Sequence, residues 1–272
     1  MKNLISLKYK AFLRFILLSF LIINGCQKED NDLNIFTVNQ DIEFGQQLDT
    51  QVRENPDQYP VLDRSQYTEA YQHLERIRDE ILQSDELIYA DRFDWKVTII
   101  HDDEVLNAFA APGGYMYFYT GLIKFLDEES QFAGVMAHEI AHADRRHSTD
   151  MLTKAYGFEI LLSIILGEDP GTLAEIASEL ALGLGRLQFS KKNEYEADEY
   201  SVKYLNDTEY HPKGISGFFE KLDTSPTLPE FLSTHPSPEN RLEEIDRVWE
   251  ELGSPDGGTF PERYNEFKNS LP

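Results

Sequence analysis

The sequence predicts an α+β fold that is mainly helical, with a small antiparallel or mixed sheet beside one central helix. Apolar residues recur at helical spacing through Tyr67–Ser84. Two short stretches, Phe93–Ile100 and Tyr115–Tyr119, are rich in β-branched and aromatic residues, which is typical of strands. With 272 residues, of which 41% are hydrophobic, the chain can bury one substantial core.

The N-terminal residues have the composition of a bacterial secretion signal. Basic residues between Lys2 and Arg14 precede the apolar run Phe15–Ile23, which is too short for a comfortable transmembrane span. Ile23-Asn24-Gly25-Cys26 resembles a lipobox, which implies cleavage before Cys26 and lipidation of its thiol. The alternative is ordinary secretion with an incidental cysteine. Because Cys26 is the only cysteine, a disulfide framework and a cysteine-based metal site are excluded.

These features divide the chain into three expected parts. Residues 1–25 form a lipoprotein signal peptide, residues 26–40 a lipidated tether, and residues 41–272 the folded domain. We expect attachment to the bacterial cell envelope through the lipid on Cys26, at the periplasmic face of the outer membrane or at the cell surface. The acidic tetrad Gln27-Lys28-Glu29-Asp30 resembles a surface-export signal, and the alternative is a plain solvated tether.

The charge of the chain limits its partners. Its formal net charge is −24, whereas a nucleic-acid partner requires a basic surface for the phosphate backbone. We therefore expect no nucleic-acid partner.

Two features precede the central helix. A short helix is expected at about Asp41–Glu54, and Pro112-Gly113-Gly114 interrupts regular structure before the strand at Tyr115–Tyr119. The segment around this turn is either a simple hairpin or a strand that borders a cleft. In the second case, an exposed edge between Asn107 and Tyr117 could bind an extended peptide through main-chain hydrogen bonds.

The central helix carries the pattern His-Glu-x-x-His. It is expected from about Glu128 to His147, and Val135–Asp144 contains neither Gly nor Pro. Residues four apart share one helix face, so His138 and His142 can converge on one ion, and Glu139 can lie beside it as a general base. The alternative is a chance pattern on an amphipathic helix.

His147 invites comparison with a longer zinc pattern that has a third histidine. That pattern requires Gly at position 145 and His at position 148, where this chain has Arg145 and Ser148. His147 is also off the ligand face, so the longer pattern is rejected. Two further helices are expected, at Met151–Leu166 and at about Thr172–Leu187.

A third ligand is expected from a second helix. Glu194 and Asp198 are four residues apart and share a face with the small Ala197. We assign Glu194 as the third ligand and Asp198 as the acceptor that fixes the tautomer of a ligand histidine. Glu196 points away from Glu194, toward solvent or another contact. The alternative is an acidic, solvated helix face.

Together these motifs resemble the gluzincins of peptidase family M48. The resemblance extends from about Phe36 to the C-terminus and rests on four motifs in order. They are Asn107-Ala108-Phe109-Ala110-Ala111-Pro112-Gly113-Gly114 with Thr120-Gly121-Leu122, His138-Glu139-Ile140-Ala141-His142, Glu194 with Asp198, and Thr234-His235-Pro236-Ser237-Pro238-Glu239-Asn240-Arg241.

The resemblance implies a zincin-like metalloprotease fold at residues 41–272 and one Zn²⁺ per chain. It also implies that His235 lies near the ion and can occupy its open position. The segment with Asn107, Ala108, Gly113 and Gly114 would border the bound substrate.

The function we expect is a zinc-dependent metalloendopeptidase of the cell envelope. Its substrates would be misfolded or unassembled envelope polypeptides, and the outer-membrane assembly machinery is a candidate partner. Glu139 would take a proton from the attacking water and return it to the leaving amine. Two alternatives remain: an assembly or chaperone-like factor with little proteolysis, and a degenerate zinc site kept for structure. A purely structural site needs no general base, so the presence of Glu139 favours catalysis.

Overall fold

The computed structural model describes residues 34, 36–156, 176, 188–223, 230–237 and 239–272. Helices and strands follow one another there in this order: α1 Val38–Glu54, α2 Thr68–Ile81, β1 Lys96–Ile100, β2 Ala108–Ala111, β3 Tyr115–Tyr119, α3 Thr120–Phe125, α4 Glu129–Asp144, α5 His147–Tyr156, α6 Lys191–Asn206, α7 Gly214–Asp223, α8 Phe231–Thr234, α9 Arg241–Glu251 and α10 Pro261–Asn269. The described part of the chain is therefore mainly helical with one small sheet, which confirms the predicted α+β class.

The sheet is mixed, with its strands in the order β1-β3-β2. β1 is parallel to β3, and β2 is antiparallel to β3. Tyr119 N donates to Asn107 O just before β2 begins. Because antiparallel pairs alternate between bonded and non-bonded positions, the peptide groups of Ala108 and Ala110 face away from β3. They form the outer edge of the sheet.

Helix α4 lies at the centre of the core. Every residue of this helix except Gln131 is buried. Two glycines allow it to approach α7 closely: a Cβ on Gly134 would overlap the backbone of Ile215, and a Cβ on Gly214 would overlap the Ser130 carbonyl. The absence of these side chains fixes how near the two helix axes can lie.

The N-terminus of α4 is held by a buried ion cluster around Glu129. Arg76 donates to both carboxylate oxygens at 2.9 and 2.7 Å, and Tyr210 Oη donates to Oε1 at 2.8 Å. Arg263 lies 2.6 Å from Oε1. Burial alone would raise the pKa of Glu129, but these partners outweigh it and lower the pKa below its ordinary value. An acidic residue in the first turn is also favourable in the helix dipole, and these contacts add a buried link from α4 to α2 and α10.

Two helix boundaries differ from the sequence prediction. Helix α1 begins at Val38, and not at Asp41, because Thr37 and Gln40 form a capping box at its start. The predicted helix Glu128–His147 is interrupted: α4 ends at Asp144, and Arg146 has a left-handed backbone with φ 61°.

The interruption at Arg146 has a non-local cause. The Arg146 side chain donates to the Asp41 carboxylate and to the Phe36 carbonyl, more than a hundred residues earlier. This clamp holds the residue in a backbone conformation that most side chains avoid.

Other predictions are settled in part. His73 lies off the apolar stripe of its helix, a position that favours the surface, but it is half-buried and stacks on Phe267 with the ring centroids 5.4 Å apart. Of the helix expected at Met151–Leu166, the structure describes only its first part, within α5. The signal peptide, Cys26 and nearly all of the helix expected at Thr172–Leu187 lie outside the described residues. In the part of the chain that is described, no helix combines the length and apolar content needed to cross a membrane.

Candidate metal centre

Helix α4 places two imidazole rings side by side. The Nε2 atoms of His138 and His142 are 3.0 Å apart, and both side chains are fully buried. Their spacing of four residues puts them on one face of the helix, as the sequence indicates.

Helix α6 brings a carboxylate to the same place. A capping box between Ser190 and Asn193 starts the helix, so Glu194 lies in its first turn. The Glu194 oxygens are 3.6 Å from His138 Nε2 and 3.4 Å from His142 Nε2. The side chain of Glu194 is fully buried.

A third imidazole comes from His235, directly after α8. Its Nδ1 is 3.1 Å from Glu194 Oε1 and 3.4 Å from His138 Nε2. The ring stacks on Phe231 at 4.3 Å and is fully buried. The structure therefore brings His235 into one group with His138, His142 and Glu194.

The geometry of this group fits a tetrahedral metal ion. One potential ligand atom from each of the four residues lies within 4.8 Å of the other three. Zinc–ligand bonds of about 2.0–2.1 Å in a tetrahedron would separate neighbouring ligand atoms by about 3.3 Å. The contacts above, between 3.0 and 3.6 Å, bracket that value. Imidazole nitrogens with one carboxylate oxygen are a donor set that suits zinc.

The protonation of the group also suits a cation. Burial would raise the pKa of Glu194, but the adjacent side chains of His235 and His142 bring that pKa well below its ordinary value. Burial brings the pKa of His142 well below its ordinary value, so its ring is neutral. A metal ion requires this pair of states, a carboxylate and a free imidazole nitrogen.

Glu139 is adjacent to the group and is not one of the four. Both of its carboxylate oxygens are buried and make no hydrogen bond to another described side chain, while the backbone N–H of Ala110 approaches the carboxylate. Oε1 is 3.5 Å from His235 Nε2, and burial raises the pKa of Glu139 above its ordinary value. A buried carboxylate of this kind, next to a cation site, can hold and move the proton of a water molecule.

Asp198 and Arg241 contact two of the clustered residues, His138 and Glu194. Asp198 Oδ1 is 2.9 Å from His138 Nδ1. Arg241 donates to both oxygens of Asp198, at 2.6 and 2.8 Å, and to Glu194 Oε2 at 3.0 Å. Arg241 is the last residue of the sequence motif that begins at Thr234, but the motif alone does not indicate what the arginine contacts.

His147 contacts His142 at Nδ1, the ring nitrogen that faces away from the other clustered residues. It is not among the four clustered residues, in agreement with rejection of the longer zinc pattern. Its Nδ1 nevertheless lies 3.0 Å from Nδ1 of His142, and its Nε2 is 3.4 Å from Glu196 Oε2. The sequence contains no signal for this contact, because the approach depends on the left-handed turn at Arg146.

The residues expected to border the substrate lie at the edge of the sheet next to Glu139. Asn107 and Ala108 are buried where β2 begins, and the Ala110 peptide group contacts the Glu139 carboxylate. Gly113 and Gly114, both with positive φ, form the turn after β2, where side chains would collide with α1 or with the Phe93–Trp95 segment.

An apolar pocket opens between the β2 edge and the group of four clustered residues. It lies beside His235 and is lined mainly by side chains of α1, β2 and α5. Its apolar lining includes Phe44, Leu48, Phe109, Met151, Leu152 and Phe189.

Comparison with known proteins is consistent with this geometry. The family model of Peptidase family M48 matches residues 69–248, about two thirds of the chain. The beta-barrel assembly-enhancing protease of Escherichia coli (strain K12) is 34% identical over 157 residues, which cover 53% of this chain and 32% of that protein. The mitochondrial metalloendopeptidase OMA1 of Arabidopsis thaliana is 34% identical over 149 residues, covering 54% of this chain and 30% of that protein.

A human relative shows the same partial coverage. Metalloendopeptidase OMA1, mitochondrial, of Homo sapiens is 27% identical over 172 residues, which cover 58% of this chain and 33% of that protein. The chain thus spans about a third of the length of these curated relatives. The family match and the buried His-His-Glu-His group together confirm the resemblance seen in the sequence: the chain belongs to peptidase family M48.

Proposed function

We propose that this protein is a zinc-dependent metalloendopeptidase whose zinc ligands are His138, His142 and Glu194. The observation that carries the proposal is the position of Glu139, a buried carboxylate that makes no hydrogen bond to another described side chain and lies directly beside the ligand group. A structural metal site has no use for such a carboxylate, whereas peptide hydrolysis requires one.

The proposed chemistry divides between the ion and the chain. Zinc, when bound, polarises the scissile carbonyl and acidifies a neighbouring water. Glu139 takes the proton of the attacking water and delivers it to the leaving amine. Its raised pKa favours this exchange, because a carboxylate that must accept and then donate a proton works best with a pKa closer to neutral.

Two neighbours are proposed to hold the ligands in place. Asp198 accepts from His138 Nδ1 and so leaves Nε2 free for the ion. Arg241 fixes Asp198 and Glu194 together through its planar guanidinium, which matches carboxylate geometry.

His235 is proposed to act as a gate. Its Nδ1 faces the ligand group and its Nε2 faces Glu139, so the ring occupies the space between them. In this arrangement the imidazole would be a fourth ligand to an ion held by His138, His142 and Glu194, and it would keep Glu139 away from that ion. Movement of the segment Phe231–His235 would then release the site for substrate.

The substrate is proposed to be an extended polypeptide bound along β2. The outward N–H and C=O groups of Ala108 and Ala110 would bond to its main chain in the manner of an added strand, and at Ala110 these bonds would replace the present contacts with Ser148 Oγ and Glu139. The turn at Gly113 and Gly114 presents this edge, and Asn107 lies at its start. The apolar pocket beside it would take one bulky apolar side chain, so Leu48→Trp should reduce cleavage next to such residues and leave cleavage next to alanine less affected.

The setting proposed is the bacterial cell envelope. The lipobox-like Ile23–Cys26 supports a signal peptide at residues 1–25, a lipidated tether at 26–40 and a protease domain at 41–272, with the lipid on Cys26 as the membrane contact. We propose outer-membrane assembly as the context and unassembled envelope proteins as the substrates, and the name of the Escherichia coli relative, a protease that enhances beta-barrel assembly, supports a link to assembly. An assembly factor with little proteolysis is the alternative that this same name favours.

The replacement Glu139→Gln tests the catalytic assignment. The variant should bind one zinc per chain, as the wild type does, and lose the cleavage of unfolded casein by a factor of about 10² to 10⁴. Equal cleavage by the zinc-loaded variant would refute the role of Glu139. Absence of cleavage by the zinc-loaded wild type on a panel of unfolded envelope proteins would favour the assembly factor.

A further inference from the structure

His147 owes its position to the break between α4 and α5. A continuous helix through residue 147 would carry this side chain off the ligand face, as the sequence predicts. The left-handed Arg146 instead turns the chain, and His147 becomes the first residue of α5. Its ring lies edge-on to that of His142, with centroids 5.0 Å apart, and its side chain is almost fully buried.

The rings of His142 and His147 contact each other through their Nδ1 atoms. Nε2 of His142 faces the ligand group, 3.4 Å from Glu194 Oε1. A neutral imidazole that offers Nε2 to a metal carries its proton on Nδ1. That proton points at Nδ1 of His147, 3.0 Å away. His147 must then accept on Nδ1 and carry its own proton on Nε2.

The next contact continues in the same direction. Nε2 of His147 is 3.4 Å from Glu196 Oε2, a carboxylate oxygen that can only accept when ionised. His142 donates to His147, and His147 donates to Glu196. The carboxylate therefore selects the tautomer of His147, and His147 selects the tautomer of His142.

The other surroundings of His142 offer no substitute for this acceptor. One face of its ring stacks on Phe189 at 3.9 Å between centroids. Among the residues that the structure describes, His147 is the one hydrogen-bond partner of His142 Nδ1. By contrast, His138 Nδ1 has the Asp198 carboxylate 2.9 Å away. The two histidines of the central motif are thus supported by different kinds of group, a carboxylate for one and an imidazole for the other.

We propose that His147, oriented by Glu196, is a positioning residue that fixes the tautomer and the ring orientation of His142 and thereby strengthens metal binding. This inference rests on the proposed function in one respect, the assignment of His142 as a ligand. Groups that hold a ligand histidine from behind contribute about 10- to 100-fold to metal affinity.

The test compares His147→Leu with His147→Gln in the full chain. Leucine removes the acceptor, whereas the glutamine side-chain oxygen can still accept from His142 Nδ1. Zinc affinity, measured by competition with a chromophoric chelator, should fall about 10- to 100-fold in the leucine variant and recover most of that loss in the glutamine variant. The visible spectrum of the cobalt-substituted protein should change in the leucine variant, because the ligand ring is no longer fixed.

A matched control comes from the same helix. Thr153 donates to the Thr149 carbonyl within α5 and has no contact with the ligand group, so Thr153→Ala should bind zinc as the wild type does. Urea unfolding of the metal-free variants shows whether each one folds. A packing role for His147 would lower affinity equally in the leucine and glutamine variants.

Glu196 gives an independent check. If it acts through His147, Glu196→Leu should weaken zinc binding by itself but should add nothing to His147→Leu in the double variant. Three outcomes would overturn the inference: unchanged affinity and cobalt spectrum in His147→Leu, equal losses in the leucine and glutamine variants, or additive losses with Glu196→Leu. Failure of the wild type to bind zinc would instead refute the proposed function, so the two failures are distinguishable.

Discussion

Replacing Arg241 with methionine should destabilise the protein strongly even in the absence of metal. The guanidinium is buried, makes hydrogen bonds of 2.6, 2.8 and 3.0 Å to Asp198 and Glu194, and lies over the ring of Phe219 at 3.8 Å. Methionine keeps the apolar stem of the side chain but leaves two buried carboxylates without their cation.

The expected magnitude follows from that loss. Removal of one partner from a buried ion pair costs about 3–5 kcal/mol, because the remaining charge is not solvated. For a domain of this size, each kcal/mol corresponds to about 2–4 °C, so the melting temperature should fall by roughly 6–20 °C. Burial would lower the pKa of Arg241, but the two carboxylates raise it, so the arginine carries its charge at every pH at which the fold is studied.

The assay is urea unfolding of metal-free protein, followed by far-UV circular dichroism. Arg247 is the matched control, since it lies on the same helix α9 but is half-exposed and pairs with Glu244 and Glu251 at the surface. Exposed pairs contribute little, so Arg247→Met should leave the unfolding midpoint nearly unchanged. A midpoint shift for Arg241→Met no larger than that of Arg247→Met would refute the reasoning.

Three further outcomes are expected. Gly134→Ala should lower the unfolding free energy by about 1–3 kcal/mol, because the new Cβ overlaps the α7 backbone. Gly217→Ala is the control and should cost less, because its Cβ meets only a flexible glutamine side chain. Equal effects of the two variants in urea unfolding would contradict this reasoning. His235→Ala should alter the visible spectrum of the cobalt-substituted protein and raise the rate of casein cleavage by about tenfold, if a gated minor state is the active one; an unchanged spectrum and rate would exclude the gate. The pKa of Glu129 is lowered in the folded protein, so its contribution to stability is complete above about pH 4.5 and is lost as the pH falls through the folded value. The difference in unfolding free energy between wild type and Glu129→Gln should therefore shrink between pH 7 and pH 3, and a difference that is constant with pH would be inconsistent with this sign.

Local patterns predicted most of the elements and the approach of His138, His142 and Glu194, whereas the position of His235 was expected only from the family resemblance. The spacing of His138 and His142 defines one helix face, and the spacing of Glu194 and Asp198 defines a second. These are properties of residues within one or two helical turns of each other. The sequence therefore predicts the fold class and brings Glu194 to the correct helix.

Contacts between distant segments were the ones that escaped prediction. The break at Arg146 depends on Asp41, 105 residues earlier, and the position of His147 depends on that break. The role of Arg241 likewise depends on Asp198 being 43 residues away in sequence but 2.6 Å away in space. No pattern within a short window contains this information, because it arises from packing of the whole domain.

A metal ion bound to the ligand group would also affect the stability of the fold, because the ligands are far apart in the sequence. His142 and Glu194 are separated by 52 residues, so an ion shared by them is a cross-link that closes a long loop. Closing a loop of that length costs the chain about 3.5 kcal/mol in the length-dependent part of its conformational entropy. The free energy of ion binding would have to offset this cost. The ion would then be a reversible cross-link that stabilises the folded domain. Chelation should shorten the lifetime of the protein as well as stop its chemistry, and the availability of zinc in the surrounding compartment would set how long each molecule persists.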